Sequence, residues 1–250
     1  MMRLPPVEGG ISLLELPAAL AARGYQAIQI CHFHIASTDD AYLDSLRGAL
    51  DAHGIELDVL LVDAGDLTAD DADRQMAWIR DWIAVAARLG AKRARVCAGQ
   101  SRPTPELLDL SGARLASLAE AHPGIRLLTE NWKELTPDAA STLAVLDAAG
   151  DQVGLMIDLG NWTGAHKYDD LVEIAPRAEA SHIKCHFDTS GPDEADFRQS
   201  LAILRDAGYT GSLCMIYDGP DDDEWRHLDW EWAVTCDMFG IAPAPRQATG

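Results

Sequence analysis

A chain of 250 residues with 48% apolar side chains can bury a large core, and that length suits one α/β unit better than a two-layer domain. Its 40 acidic against 20 basic side chains give a formal charge of −20, a field that repels phosphate backbones and anionic lipid and so excludes nucleic acid and membrane surfaces as expected partners. Prolines and glycines are spread along the chain instead of gathering into linkers, which predicts a single domain over residues 1–250.

In chain order, residues 1–10 come first. Pro5-Pro6 and Gly9-Gly10 make a poor strand there, so the opening strand is expected to be short or irregular. From Gly24 onward a unit repeats: a glycine that can take the left-handed conformation ends a helix, a short apolar run follows, then a polar loop and the next helix. Strands are predicted over 25–31 after Gly24, 55–62 after Gly54, 91–97 after Gly90, 125–130 after Gly124 and 153–158 after Gly150. Two more are predicted over 181–187 after Pro176-Arg-Ala and over 212–217 after Gly208. Between them lie helical patterns. Over 69–89, Met76, Ile79, Ile83 and Ala86 share one face while Asp70, Asp71 and Asp73 crowd the N-terminal turn. Thr38-Asp-Asp and Thr136-Pro137 read as helix starts. Units of about thirty residues that alternate strand and helix imply parallel strands with helical crossovers. Their even size, and the lack of a glycine-rich phosphate loop after an early strand, favour a closed (β/α)8 TIM barrel over an open doubly wound sheet.

Cys31, Cys97, Cys185 and Cys214 sit in apolar runs and read as buried thiols of a reducing compartment. With no apolar signal core at the N-terminus, the expected location is cytoplasmic, and the sequon at Asn161-Trp-Thr163 reads as a chance match.

Parallel α/β units bring their strand ends to one rim. Those ends carry His32 and His34, Asp63 and Asp66, Gln100, Glu130-Asn131-Trp132, Asp158, Asn161-Trp162, His182, Lys184 and His186, and Tyr217-Asp218. In 181–187 the apolar Ile183, Cys185 and Phe187 suit the helix layer, which turns His182, Lys184 and His186 to the axis. The same alternation puts Glu130 with Leu128 and Asp158 with Met156. Two carboxylates and an imidazole on neighbouring strands make a nitrogen and oxygen site for a divalent cation. Blander readings stand beside this one. Glu130 can pair with Lys184 or Arg95, His182 can be a core histidine, and His32 and His34 can be plain rim residues. Trp132 and Trp162 can stack on a sugar ring or roof the barrel. Cys97 reads as packing, and 221–224 as a solvated helix start.

Glu130-Asn131-Trp132, Asp158-Leu-Gly-Asn161-Trp162, His182-Ile-Lys184, Gly208-Tyr-Thr-Gly211 and Tyr217-Asp-Gly-Pro220, in this order and spacing, resemble the xylose isomerase-like TIM barrels. That sugar phosphate isomerase/epimerase group also includes endonuclease IV. The resemblance runs from about Gly24 to Trp225 and implies a metal held by Glu, Asp, His and Glu on the last four strands. The first three carry over to Glu130, Asp158 and His182, and Lys184 matches the lysine two residues past the histidine. Asn161 falls where relatives often have a substrate-contacting histidine. Ile216 stands where the fourth glutamate belongs, leaving Asp218 as the nearby carboxylate. The implied activity is a metal-dependent isomerase or epimerase (Mn, Mg, Co or Zn) acting on a sugar, sugar phosphate or hydroxy-keto acid through an enediolate. Glu130 would be ligand and base, Asp218 or His186 the second acid/base, and Lys184 a counter-charge, with His32, His34, Asn161, Trp132 and Trp162 contacting a carbohydrate-like substrate. The missing glutamate keeps two alternatives open: a keto-sugar-acid lyase or decarboxylase, and a metal-poor sugar-binding barrel without catalysis. A homo-oligomer is compatible with all three.

Overall fold

Helices and strands alternate over residues 10–242, the part of the chain that the computed structural model describes. α1 (Leu16–Ala22) leads into β1 (Ala27–Cys31), α2 (Asp40–His53) into β2 (Glu56–Val62), α3 (Ala72–Leu89) into β3 (Arg93–Val96) and α4 (Pro105–Ala121) into β4 (Arg126–Glu130). α5 (Ala139–Ala149) leads into β5 (Val153–Asp158) and α6 (Lys167–Ile174) into β6 (Ala178–Lys184). A two-residue antiparallel ribbon, β7 (Phe187–Asp188) with β8 (Gly191–Pro192), precedes α7 (Glu194–Asp206), β9 (Leu213–Ile216) and α8 (Glu224–Phe239).

Seven strands pair in the order β1-β2-β3-β4-β5-β6-β9, every neighbour parallel. The sheet curls far enough that Gln29 on β1 meets His182 on β6 at 2.7 Å. It is a nearly closed TIM barrel, unpaired between β1 and β9 among the described residues. The short first strand expected in 1–10 lies, apart from Gly10, outside the described residues.

Local chemistry explains the joins. Gly54 and Gly90 end α2 and α3 at φ 64° and 77°, a conformation that costs a side-chain-bearing residue about 1–2 kcal/mol. α3 buries Met76, Ile79, Ile83, Ala86 and Leu89. It starts at Ala72, three residues later than the periodicity suggests, with Asp71 in the cap position. α2 likewise starts at Asp40, two residues past Thr38, with Asp39 at its cap. The expected start at Thr136-Pro137 is displaced: the Thr136 hydroxyl turns back to donate to the Trp132 carbonyl at 2.7 Å. Asp138 instead accepts the Ser141 N–H at 2.8 Å and caps α5.

Two apolar layers lie between sheet and helices. One is built around Leu60, Val62, Ile79, Ile83 and Leu115, the other around Leu155, Ile157, Ile183, Phe197 and Leu201. Burial of each such side chain contributes about 1.5–3 kcal/mol. A separate plug of Cys31, Val59, Leu61, Leu128, Met156 and Ala180 fills the barrel axis. Alternation along each strand therefore sets Leu128 and Glu130, Met156 and Asp158, and Ala180 and His182 on the inner face, above that plug.

Candidate metal centre and its rim

Glu130 at the end of β4, Asp158 at the end of β5 and His182 on β6 are buried side by side and offer ligand atoms within 4.8 Å of one another. His182 Nδ1 lies 3.4 Å from Glu130 Oε1 and 3.4 Å from Asp158 Oδ2. Burial works against charge on the imidazole, but hydrogen bonding to Asp158 and Glu130 outweighs it and raises the His182 pKa to about 9. Asp158 moves the opposite way: burial favours its neutral form, and His182 and Lys184 overcome that and lower its pKa.

Neighbouring groups hold each member in place. The Asn131 side chain donates to the Asp158 carbonyl at 2.9 Å and accepts the Asp158 N–H at 2.7 Å, tying the ends of β4 and β5 together. The Asn161 amide donates to Glu130 Oε1 at 3.0 Å, and Gly160 N–H donates to Asp158 Oδ1 at 2.6 Å. A Cβ on Gly160 would stand 2.7 Å from Lys184 Cε, so only glycine lets the lysine lie across this turn. Gln29 Oε1 accepts from His182 Nε2 at 2.7 Å, while Gln29 Nε2 donates to Asp58 Oδ2 at 3.2 Å. Asp58 in turn pairs with Arg93. The chain of contacts from Arg93 to Gln29 keeps one imidazole proton on Nε2, so the proton that faces the carboxylates is the one on Nδ1, and a cation bound there would replace it and take the Nδ1 lone pair.

Arg95 on β3 is buried inside the barrel between Asp63 and Glu130, its Nε 2.9 Å from Glu130 Oε2. The ion pair weighed against metal binding is thus present, and it coexists with the cluster. Neither Arg95 Nε nor Glu130 Oε2 is aligned for a hydrogen bond. A buried carboxylate oxygen lacking a hydrogen bond, a second buried carboxylate and an imidazole lone pair fit a hard or borderline divalent cation. Glu130, Asp158 and His182 would hold it.

A cavity of about 390 Å³ opens over the cluster. His34, Trp132, Asn161, Lys184 and Asp218 line it with the triad. Burial opposes the Lys184 ammonium, but Asp158 and Asp218 more than offset this and raise its pKa. Asp218 is 48% exposed and 3.4 Å from Lys184 Nζ, and it is not part of the three-residue cluster. Trp132 packs its ring against the Arg95 guanidinium, 5.1 Å away, and the Lys133 ammonium, 3.6 Å away.

Three of the candidate residues lie elsewhere. His32 is wedged edge-on against Trp78 and Trp82, with Nδ1 accepting the Asp63 N–H at 3.2 Å. Trp162 is buried in the outer layer, its indole donating to the Thr136 carbonyl at 3.1 Å. His186 follows the end of β6, where strict alternation stops, and its Nε2 is buried without a hydrogen-bond partner. Cys97 is buried against Arg95, and burial pushes its thiol up to about 11. Gln29 and Asp58 are the supporting residues that sequence reasoning passed over. The signal was a lone polar side chain in the apolar run Ala27-Ile-Gln-Ile-Cys31.

A barrel of parallel strands with two carboxylates and an imidazole at the C-terminal rim defines a class of α/β-barrel proteins with a metal-type site. The chain belongs to the xylose isomerase-like TIM barrel family, whose profile matches residues 17–232. No curated protein sequence matches it. Among solved structures, a xylose isomerase-like TIM barrel protein from Mycobacterium smegmatis in complex with magnesium is similar at TM-score 0.70 and 18% identity, over 95% of this chain and 94% of that one. A 3-keto-D-glucoside 4-epimerase from E. coli is similar at TM-score 0.71 and 14% identity, over 95% and 97%. A D-psicose 3-epimerase from Clostridium cellulolyticum H10, solved with D-tagatose, is similar at TM-score 0.71 and 14% identity, over 92% and 93%. Among the described residues no helix is long and apolar enough to cross a membrane.

Proposed function

We propose that the chain is a metal-dependent isomerase or epimerase of a sugar, sugar phosphate or hydroxy-keto acid that works through an enediolate. The observation that carries this reading is the convergence of Glu130, Asp158 and His182 Nδ1 around one point. Family membership and the epimerases among the structural neighbours support it. A divalent cation (Mn, Mg, Co or Zn) held there would polarise a substrate carbonyl and the adjacent hydroxyl, making the carbon-bound proton more acidic. Glu130 both holds the cation and serves as base, with Asn161 fixing Oε1. Lys184 offsets negative charge that develops on substrate oxygen. Asp218, beside Lys184 at the cavity wall, returns a proton, a role for which it is better placed than His186. His34, Trp132 and Asn161 contact the sugar, and the expected setting is the cytoplasm.

Turnover in deuterated water tests the reading. Label should enter the carbon next to the carbonyl, and Glu130→Gln should lower kcat/KM by about a thousandfold. Product formed without label at that carbon would argue against an enediolate. A second reading, a lyase or decarboxylase for a keto-sugar acid, draws support from β9, whose cavity-lining residues Leu213, Cys214, Met215 and Ile216 include no carboxylate. Cleavage needs enolate stabilisation but only one proton-transfer group, and product analysis separates a fragment or carbon dioxide from an isomer.

A further inference from the structure

Among the described residues, the last barrel strand brings no ligand atom into the cluster of Glu130, Asp158 and His182. Leu213 and Met215 on β9 pack against the outer layer, so alternation turns Cys214 and Ile216 to the inner face, while the cavity runs along the whole strand and all four residues line it. Register sets Cys214 beside His182 and Ile216 beside Lys184. A branched hydrocarbon therefore stands beside Lys184 in the sheet, on the strand next to the one that carries His182. It can neither coordinate a cation nor neutralise Lys184.

Charge sharpens the point. Glu130 and Asp158 match the two charges of a divalent cation, and Arg95 is already shared between Glu130 and Asp63. Lys184 is the remaining cation at the cavity wall, and the carboxylate it meets outside the cluster is Asp218, 48% exposed and 3.4 Å away. A contact that open to water is worth little and exchanges readily. A neutral hydroxyl entering from the cavity would satisfy the cation but not the ammonium, whereas a carboxylate satisfies both.

We infer that the ligand itself supplies the missing donor: it carries a carboxylate next to a hydroxyl or carbonyl, which completes the shell of the cation beside Ile216 and takes Lys184 as its counter-ion. The substrate class is thereby narrowed to hydroxy or keto acids, including sugar acids. This rests on the metal-dependent reading above and deepens it.

Glycolate, the smallest hydroxy acid, is the probe, and Mn²⁺ binding is read by calorimetry and by the electron paramagnetic resonance of the ion. In the unmodified protein glycolate should tighten Mn²⁺ binding on the order of tenfold, and Mn²⁺ should tighten glycolate binding by the same factor, because such coupling is reciprocal. Ethylene glycol, which has the hydroxyls without the charge, should change Mn²⁺ affinity by less than about twofold. Lys184→Gln should weaken the glycolate effect without weakening binding of Mn²⁺ alone, and Ile216→Glu should strengthen binding of Mn²⁺ alone and abolish the glycolate effect. The inference is overturned if Mn²⁺ binds and glycolate adds nothing, or if ethylene glycol does as well. Failure of Mn²⁺ to bind at all removes the metal-dependent reading and this inference with it, an outcome distinct from either of those.

Discussion

Gln29 illustrates how a single side chain conditions a site it does not enter. Its carbonyl oxygen holds His182 Nε2 while its amide is held by Asp58, so the ring is oriented from the far side of the barrel. Loss of such a partner typically costs a metal site 10–100-fold in affinity. Gln29→Leu should therefore weaken Mn²⁺ binding by about tenfold or more, measured by calorimetry, with the circular dichroism spectrum unchanged. Equal affinity in the variant would mean that Asp158 and Glu130 alone fix the imidazole. Glu130 is coupled to its surroundings in another way, since its charge faces Arg95 inside the barrel. Removing one partner of a buried ion pair costs about 3–5 kcal/mol. Glu130→Ala should lower thermal stability strongly in metal-free protein, a loss that chemical denaturation would measure, whereas Glu130→Gln keeps an oxygen for Asn161 and should be the milder change.

Strands and helices were legible in the sequence where the backbone itself is constrained. Left-handed glycines such as Gly54 and Gly90 had to close helices, and the apolar stripe of α3 could only face inward. Helix starts were less legible, because Thr136-Pro137 and Asp138 are equally good caps on paper. What decides between them is the Trp132 backbone, which occupies the Thr136 hydroxyl. The error over His186 has a similar origin: period-two reasoning holds only while the strand lasts, and β6 ends at Lys184. α8 carries a buried carboxyl that the sequence reading passed over, Glu231, on the stripe of Leu228, Val234 and Thr235. Its Oε1 accepts the Cys185 N–H at 3.2 Å, its Oε2 has no partner among the described residues, and burial raises its pKa well above the ordinary carboxyl value. The folded chain consequently holds a proton that the unfolded chain gives up. Whatever protonated Glu231 contributes to stability is fully present below the unfolded pKa of about 4.3 and is lost as pH rises through the folded value. Glu231→Gln keeps the acceptor for Cys185 and removes the titration. The substitution should raise Tm at about pH 8, by about 2–4 °C, and change it less at about pH 5; an equal shift at both would mean that the carboxyl does not titrate.

At the scale of the whole molecule, the site was legible as a set of residue types and not as a geometry. Order and spacing pointed to Glu130, Asp158 and His182, but the contact of Gln29 with His182 depends on the curl that carries β1 round to face β6, and no local window of sequence encodes that curl. Charge, by contrast, needs no fold to be read, and it bears on one branch of the family. The resemblance extends to endonuclease IV, so a role on abasic DNA has to be weighed against a net charge of −20. The loop after β9 adds to that field: Asp218 lines the cavity, Asp221, Asp222 and Asp223 follow it, all four are exposed, and Arg226 pairs with two of them, Asp221 and Asp223. A duplex lying across the rim would bring phosphates within the screening length of about 8 Å at physiological salt, with few cations to release their counterions. Even proteins that bind DNA without sequence preference reach dissociation constants of about 10⁻⁴ to 10⁻⁶ M through such release. Fluorescence anisotropy of a labelled abasic duplex at physiological salt should therefore register no binding tighter than about 10⁻⁴ M, and a tighter complex whose affinity falls steeply with added salt would show that locally clustered cations override the field.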